Sequence, residues 1–315
     1  MTIMSELKSK VKLIFFGTYL PTPEPLQLLF DAGYDIVAVI TNPDRDRATA
    51  PSPVKELAQK LGLLVLQPGK LKGNEVLLQQ LIDLTPEVGA VFAYGKIIPQ
   101  EVMDVFPRGI LNIHPSLLPK YRGPSPLQTA LLNGDKTTGV TIMLIDKEMD
   151  HGPMLSQKEI VISPEDNMQT LGIRATKLGG ELLVRTLAEY IAGKVTAKEQ
   201  DHSLATFTRL ITTVDAEIKL DDSVEIAIRK IKAFNPDPGS FVKLKSKNEK
   251  VKNKEIRLKI FEAEKTEKFE EKTPLLKLRD GYLLLKKVQP QGKRPMSGEE
   301  FLRGHKNLLC VVDNF

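Results

Sequence analysis

From residue 11 to residue 145 the sequence repeats one figure: a short apolar run, then a longer stretch with apolar residues three and four positions apart. The runs 11–16, 36–40, 63–66, 88–93, 110–114 and 140–145 read as strands. The stretches 24–32, 54–61, 75–81, 100–105 and 125–132 read as amphipathic helices. Strands alternating with helices in this way fold as βα units around a mainly parallel sheet. Such a sheet confines chemistry as well as fold, because ligands bind in the crevice at the carboxyl ends of its strands. Residues 165–191 read as one longer helix, with Ser163-Pro164 supplying the cap and first turn.

The strand 110–114 ends in Leu111-Asn112-Ile113-His114, followed by Pro115-Ser116-Leu117-Leu118-Pro119-Lys120-Tyr121-Arg122-Gly123. Residues i and i+2 of a strand point to the same face, so Asn112 and His114 project together. The segment after them, with two prolines and an Arg-Gly pair, reads as a ligand-holding loop. Asp150 lies in a second turn after the run 140–145, and both turns are expected at the carboxyl edge of the sheet. An amide, an imidazole and a carboxylate meeting there could donate to an oxyanion and handle protons, with no nucleophile belonging to the protein. Taken singly, a histidine after a strand is usually a hydrogen-bonded structural residue, and an aspartate in such a turn usually forms the turn.

Other chemistries lack their residues. After the first strand stands Gly17-Thr18-Tyr19-Leu20-Pro21, with neither the glycine pattern of dinucleotide binding nor a phosphate loop. His151, His202 and His305 have no partners at ligand spacing, so no metal site is expected. The lone cysteine, Cys310, lies in an apolar stretch, excludes an internal disulfide framework and suits a reducing compartment. Residues 1–10 carry no apolar signal core, and no run approaches the roughly 18 apolar residues of a membrane helix. The expectation is a cytoplasmic protein.

At 315 residues the chain suits two domains. The pattern becomes polar after residue 193. It then resumes as a helix at 223–234 and short strands at 241–244, 255–260, 275–278 and 282–288, with an exposed loop or hairpin tip at 262–272. Several short strands with turn punctuation suggest a small barrel. The expected division is 1–195 as catalytic domain, 196–212 as linker and 213–315 as barrel. Charge divides as well: residues 1–208 hold 21 basic and 23 acidic side chains, residues 209–315 hold 24 and 17. Between 243 and 259 eight Lys or Arg stand against two Glu. A basic stripe is the footprint expected for a phosphate backbone, and lysines alternating along strands are equally a solvated sheet face.

Several segments carry a resemblance. The Asn112-x-His114 pair, the Ser116-Leu117-Leu118-Pro119-x-x-Arg122-Gly123 loop and Asp150 resemble the formyltetrahydrofolate-dependent formyltransferases. Ala93-Tyr94-Gly95, Pro51-Ser52-Pro53-Val54-Lys55, Gly139-Val140-Thr141-Ile142-Met143, Ala233-Phe234-Asn235-Pro236 and Gln289-Pro290-Gln291-Gly292-Lys293 resemble the members of that family that act on methionyl-tRNA. The likeness runs from about residue 11 to about residue 304.

The resemblance implies an α/β fold: a Rossmann-like, mainly parallel sheet followed by an oligonucleotide-binding-type (OB-like) barrel. It also implies transfer of a formyl group from 10-formyltetrahydrofolate to the amine of initiator methionyl-tRNA, with Asn112, His114 and Asp150 catalytic. Ser116, Leu117, Leu118 and Pro119, with Phe92, Ala93, Tyr94 and Gly95, would line the folate pocket; Phe92 and Ala93 read equally as strand core. Arg45 and Arg47, in a loop resembling one that enters the acceptor stem, would contact tRNA, as would Lys243, Lys245 and Lys247. A monomer without membrane attachment or metal is expected. Arg122 is open between two readings, an anion contact and a brace of the loop. Three other functions share parts of this set: a sibling formyltransferase acting on an amino sugar nucleotide or glycinamide ribonucleotide, a hydrolase releasing formate, and an inert tRNA-binding protein.

Overall fold

The computed structural model describes the chain except residues 1–10, 20–22, 45–51, 246–254, 268–269, 271–272 and 305–315. It divides into two compact units. The first comprises Met1–Pro126, Thr137–Val161 and Gly172–Thr208; the second comprises Leu127–Lys136, Ile162–Leu171 and Arg209–Phe315.

The chain begins β1 (Lys12–Phe16), α1 (Pro23–Asp31), β2 (Asp35–Ile40), α2 (Pro53–Lys60), β3 (Val65–Leu66), α3 (Glu75–Leu84) and β4 (Val88–Val91). It continues α4 (Gln100–Met103), β5 (Ile110–His114), α5 (Pro126–Asn133), β6 (Thr137–Leu144), β7 (Met154–Val161) and α6 (Met168–Ile191). The sheet order is β3-β2-β1-β4-β5-β6-β7. Strand order reverses between β1 and β4, which opens the crevice that such folds use for ligands. The strands β1 to β5 are parallel, and all four residues of β4 are buried, as expected where both faces are covered.

The last two strands run antiparallel, β6 against β5 and β7 against β6. Leu144, the last residue of β6, stands opposite Leu111 near the start of β5. The end of β6 therefore lies at the amino edge of β5, and the loop 145–153 must return before it can deliver Asp150. This corrects the expectation of two turns at one carboxyl edge. Apolar periodicity identifies a strand and is blind to its direction.

Two glycines let α6 pack closely, one on the sheet and one on α1. A Cβ at Gly179 would stand 2.6 Å from Ile113 Cγ2, and one at Gly180 would stand 2.7 Å from Leu28 Cδ1. Ile113 faces the helix, so its neighbours Asn112 and His114 face the other side. The helix begins later than expected. Asn167 Oδ1 accepts from the Gln169 and Thr170 N–H groups at 2.9 and 3.0 Å, while Ser163 and Asp166 close a separate turn before it. The carboxamide of Asn167, not Ser163, satisfies the first-turn donors.

The second unit contains α7 (Val224–Ala233), β8 (Phe241–Lys245), β9 (Glu255–Thr266), β10 (Leu275–Leu278), β11 (Gly281–Pro290), β12 (Met296–Ser297) and α8 (Gly298–Gly304). Ser223 caps α7 by accepting from the Ile226 N–H at 3.2 Å. The strands form an antiparallel sheet in the order β10-β11-β9-β8, with β12 on β11 and irregular pairing of β11 with β9 between Leu285 and Val288. Val242, Leu258, Ile260, Leu276, Leu283 and Phe301 fill its core. This is a small barrel-type domain after a Rossmann-like one, as the fold class anticipated. β9 runs to Thr266 through the expected loop at 262–272, because Ala263 turns inward between exposed Glu262 and Glu264 and extends the alternation.

Candidate active site

His114 closes β5 and is 4% exposed. Its ring is fixed at both ends. Nε2 stands 2.9 Å from the backbone carbonyl oxygen of Tyr121, and Nδ1 stands 3.4 Å from Asp150 Oδ1. A carbonyl only accepts, so Nε2 carries a hydrogen and donates to it; in the neutral ring the free lone pair is then on Nδ1. The loop that supplies this carbonyl is pinned from within. Ser116 Oγ donates to Lys120 O at 2.6 Å, Thr141 Oγ1 donates to Ser116 O at 2.7 Å, and Gln157 Nε2 donates to Leu118 O at 2.7 Å. Tyr121 itself sits at φ +63, left-handed backbone that non-glycine residues seldom adopt.

Asp150 brings the set together. Oδ1 lies 3.5 Å from Asn112 Nδ2 as well as near His114, while Oδ2 accepts from the Gly123 N–H at 2.7 Å. Its backbone is also left-handed, at φ +53. The loop carrying it packs against its own strand, since a Cβ at Gly152 would stand 2.1 Å from Leu144 O. Asn112 and His114 thus meet Asp150 in the first unit, although the strands leading to them run in opposite directions. Only the backbones of Tyr121 and Gly123 contribute here, and backbone groups leave no signal in a sequence pattern.

The other expected residues divide. Ser116 is fully buried and Leu118 is 3% exposed, with its N–H held by Thr141 Oγ1 at 3.2 Å. Both pack the loop inward. Phe92 is buried, and Tyr94 meets Phe16 edge-on with ring centroids 5.7 Å apart. The Tyr94 hydroxyl has no hydrogen-bond partner among the described residues, and burial pushes its pKa up to about 12. Only Leu117 and Pro119, half-buried, and Ala93 and Gly95, exposed, are open to solvent. A cavity of ≈ 470 Å³ lies elsewhere in this unit, lined by Met103, Asp104, Ile145, Asp146, Glu148 and His151 among others. The loop that lines it also carries Asp150. Apolar Met103 and Ile145 stand beside Asp104, Asp146, Glu148 and His151 in its lining, and the volume falls in the ordinary range for ligand sites.

Arg122 braces the loop: its guanidinium is buried and meets Gln200 and His202. Residues 198–208, polar in composition, are built into the first unit. Lys198 and Met154 exchange backbone hydrogen bonds at 2.8 Å, and the Arg122 N–H donates to Thr206 O at 2.8 Å. Arg45, Arg47 and Lys247 lie outside the described residues, as does the side chain of Lys245. The described residues that flank the segment holding Arg45 and Arg47 are engaged. Lys55 pairs with Asp44 and holds its carboxyl below the usual range, and Ser52 Oγ donates to Thr18 O at 2.7 Å. In the second unit Lys243 pairs with Glu217 at 3.1 Å.

A carboxamide and an imidazole from β5 thus meet a carboxylate from the loop 145–153, a set able to donate to an oxyanion and to handle protons. Residues 14–187 match the family model for formyl transferase, and residues 210–306 match that for the formyl transferase C-terminal domain; the chain belongs to the formyl transferase family. Its curated relatives include methionyl-tRNA formyltransferases. That of Caldanaerobacter subterraneus subsp. tengcongensis is 37% identical over 309 residues, covering 94% of this chain and 97% of that protein. That of Roseiflexus sp. (strain RS-1) is 38% identical over 306 residues, covering 93% and 92%. Among solved structures, HypX from Aquifex aeolicus in complex with tetrahydrofolic acid shares the fold, with a TM-score of 0.62 at 16% identity over 93% of this chain. The chain spans 47% of HypX's length.

Proposed function

We propose that this enzyme transfers the formyl group of 10-formyltetrahydrofolate to the free amino group of methionine esterified to initiator tRNA. The product is N-formylmethionyl-tRNA. The observation that carries the reading is the convergence of Asn112 Nδ2 and His114 Nδ1 on one oxygen of Asp150, at 3.5 and 3.4 Å. The near-full-length likeness to methionyl-tRNA formyltransferases supports the choice of acceptor.

In this reading the methionyl nitrogen bonds to the formyl carbon, whose oxygen takes up negative charge. Asn112 Nδ2, only loosely engaged at 3.5 Å, donates to that oxygen. One such donor is worth about 3 kcal/mol of barrier. The attacking nitrogen must lose a proton, and N10 of the folate must gain one as its bond to carbon breaks. His114 Nδ1 accepts the first proton while Nε2–H stays on the Tyr121 carbonyl. Asp150 Oδ1 stabilises the imidazolium so formed, and the same proton passes to the leaving nitrogen. The folate lies in the cavity lined by the loop that carries Asp150. Residues 213–315 with the 45–51 segment hold the tRNA.

The test is purified protein with 10-formyltetrahydrofolate and methionyl-initiator tRNA, scored for formylated product, with elongator methionyl-tRNA and an amino sugar nucleotide as comparison acceptors. Formylation confined to initiator tRNA is expected. Formylation of the sugar nucleotide instead, or release of formate without acceptor, would overturn the assignment.

A further inference from the structure

Gln200 lies in the polar stretch after α6 and touches none of the three site side chains. It is nevertheless 4% exposed, and both ends of its amide are engaged. Nε2 donates to Asp150 O at 2.9 Å and to Gly152 O at 2.7 Å. Oε1 accepts from Arg122 Nε at 3.1 Å and Nη2 at 2.7 Å. A guanidinium only donates and a carbonyl only accepts, so this amide has a single allowed orientation. Arg122 is itself 4% exposed, and Nη2 is also 2.8 Å from His202 Nδ1.

Asp150 is thereby gripped from two sides that share one origin. Its carboxylate accepts from the N–H of Gly123, the residue after Arg122. Its carbonyl is held by Gln200, which the Arg122 side chain orients. Asp150 needs such a grip. At φ +53 a residue with a Cβ sits in a sparsely populated region that persists only where the surroundings enforce it. Relaxing that backbone would swing Oδ1 away from Asn112 and His114.

We propose that Gln200, oriented by Arg122, is a positioning residue for the transfer reaction. It holds Asp150 in the left-handed conformation that presents its carboxylate to His114. The proposal rests on the function proposed above. It assigns the polar connector a part in catalysis through geometry, without contact to either substrate.

Gln200→Glu is the direct test. The new carboxylate keeps the Arg122 partner and the side-chain length, but it confronts the carbonyls of residues 150 and 152 with an acceptor. Displacement on the scale of 1 Å at a reacting geometry costs up to about 10²-fold, so kcat is expected to fall about 10- to 100-fold with KM for methionyl-tRNA within about twofold. The ¹⁵N signals of the His114 ring, read by NMR in substrate-free protein, should shift in the variant. Arg122→Lys keeps the charge but can supply only one of the two hydrogen bonds to Oε1, and should lie between wild type and Gln200→Glu in both readouts. It carries the test if Gln200→Glu does not fold. Unchanged kcat in a folded variant, or reduced kcat with unmoved His114 signals, would overturn the proposal. Failure of the wild-type protein to formylate in the same assay would strike the parent reading, while the His114 signals would still test the positioning.

Discussion

In the first unit the segments after β4, β5 and β6 each place a non-glycine residue in left-handed backbone: Ala93 at φ +46, Tyr121 at +63 and Asp150 at +53. Among the described residues of the second unit only glycines do so, at Gly134, Gly239 and Gly292. Polar groups differ in how they are engaged. The first unit buries His114, Ser116, Arg122, Thr141 and Gln200 and engages each with a specific partner. The second builds its core from alternating apolar residues and also buries Asp166 and Ser240, while exposed pairs such as Lys286–Glu264 at 3.1 Å and Lys287–Glu262 at 3.8 Å stand on its surface. Around Asn112 and His114, left-handed Tyr121 and Asp150 and buried, partnered polar groups occur together. Exposed ion pairs contribute only about 0–1 kcal/mol each, so their lysines can be re-partnered at small cost.

The contrast predicts how substitutions divide. The largest effect belongs to the strand-end set: His114→Ala and Asn112→Ala should each lower kcat about 10²- to 10⁴-fold, with tRNA affinity nearly unchanged in a filter-binding assay. Equal loss of affinity and turnover would erase the division. Replacing Lys243, Lys245 and Lys247 together by Ala should do the reverse, weakening tRNA binding while single-turnover formylation at saturating tRNA holds. The slope of log affinity against log salt should flatten by about 2 to 3, roughly one for each phosphate left without its lysine. An unaltered slope would return these lysines to a solvated face. Tyr94→Phe should change neither. It removes a buried hydroxyl with no described partner and should raise stability by about 1 kcal/mol in urea melts. Because the raised pKa keeps the folded tyrosine protonated, that hydroxyl also makes the wild type lose stability as pH climbs from about 10 toward about 12, a loss the variant should lack.

The limits of β5 and the pairing of Asn112 with His114 were legible because period-two alternation and a strand-terminal polar pair are local facts. Asp150 was legible as a turn residue after an apolar run. The polarity of β6 was not, since a run of Val, Thr, Ile and Met reads alike in either direction. β7 escaped because it buries only Leu155 and Ile160 in eight residues, too sparse a signal for an edge strand. The inward turn of Ser116 and Leu118 escaped because it depends on Thr141 and Gln157, which come from other strands. Gln200 escaped for the same reason: one amide in a polar stretch gains its meaning only when the chain returns to the back of the Asp150 loop.

The most direct measurement is Asp150→Asn, assayed in one preparation for formyl transfer and for methionyl-tRNA affinity. The asparagine still accepts from the Gly123 N–H through its side-chain oxygen, which keeps the loop contact, while an NH2 replaces the oxygen beside His114 and Asn112 and the charge there is lost. The account predicts turnover reduced by about 10²-fold or more, with the tRNA dissociation constant within about twofold of wild type. Turnover close to wild type, or a drop in turnover matched by an equal drop in tRNA affinity, would contradict it.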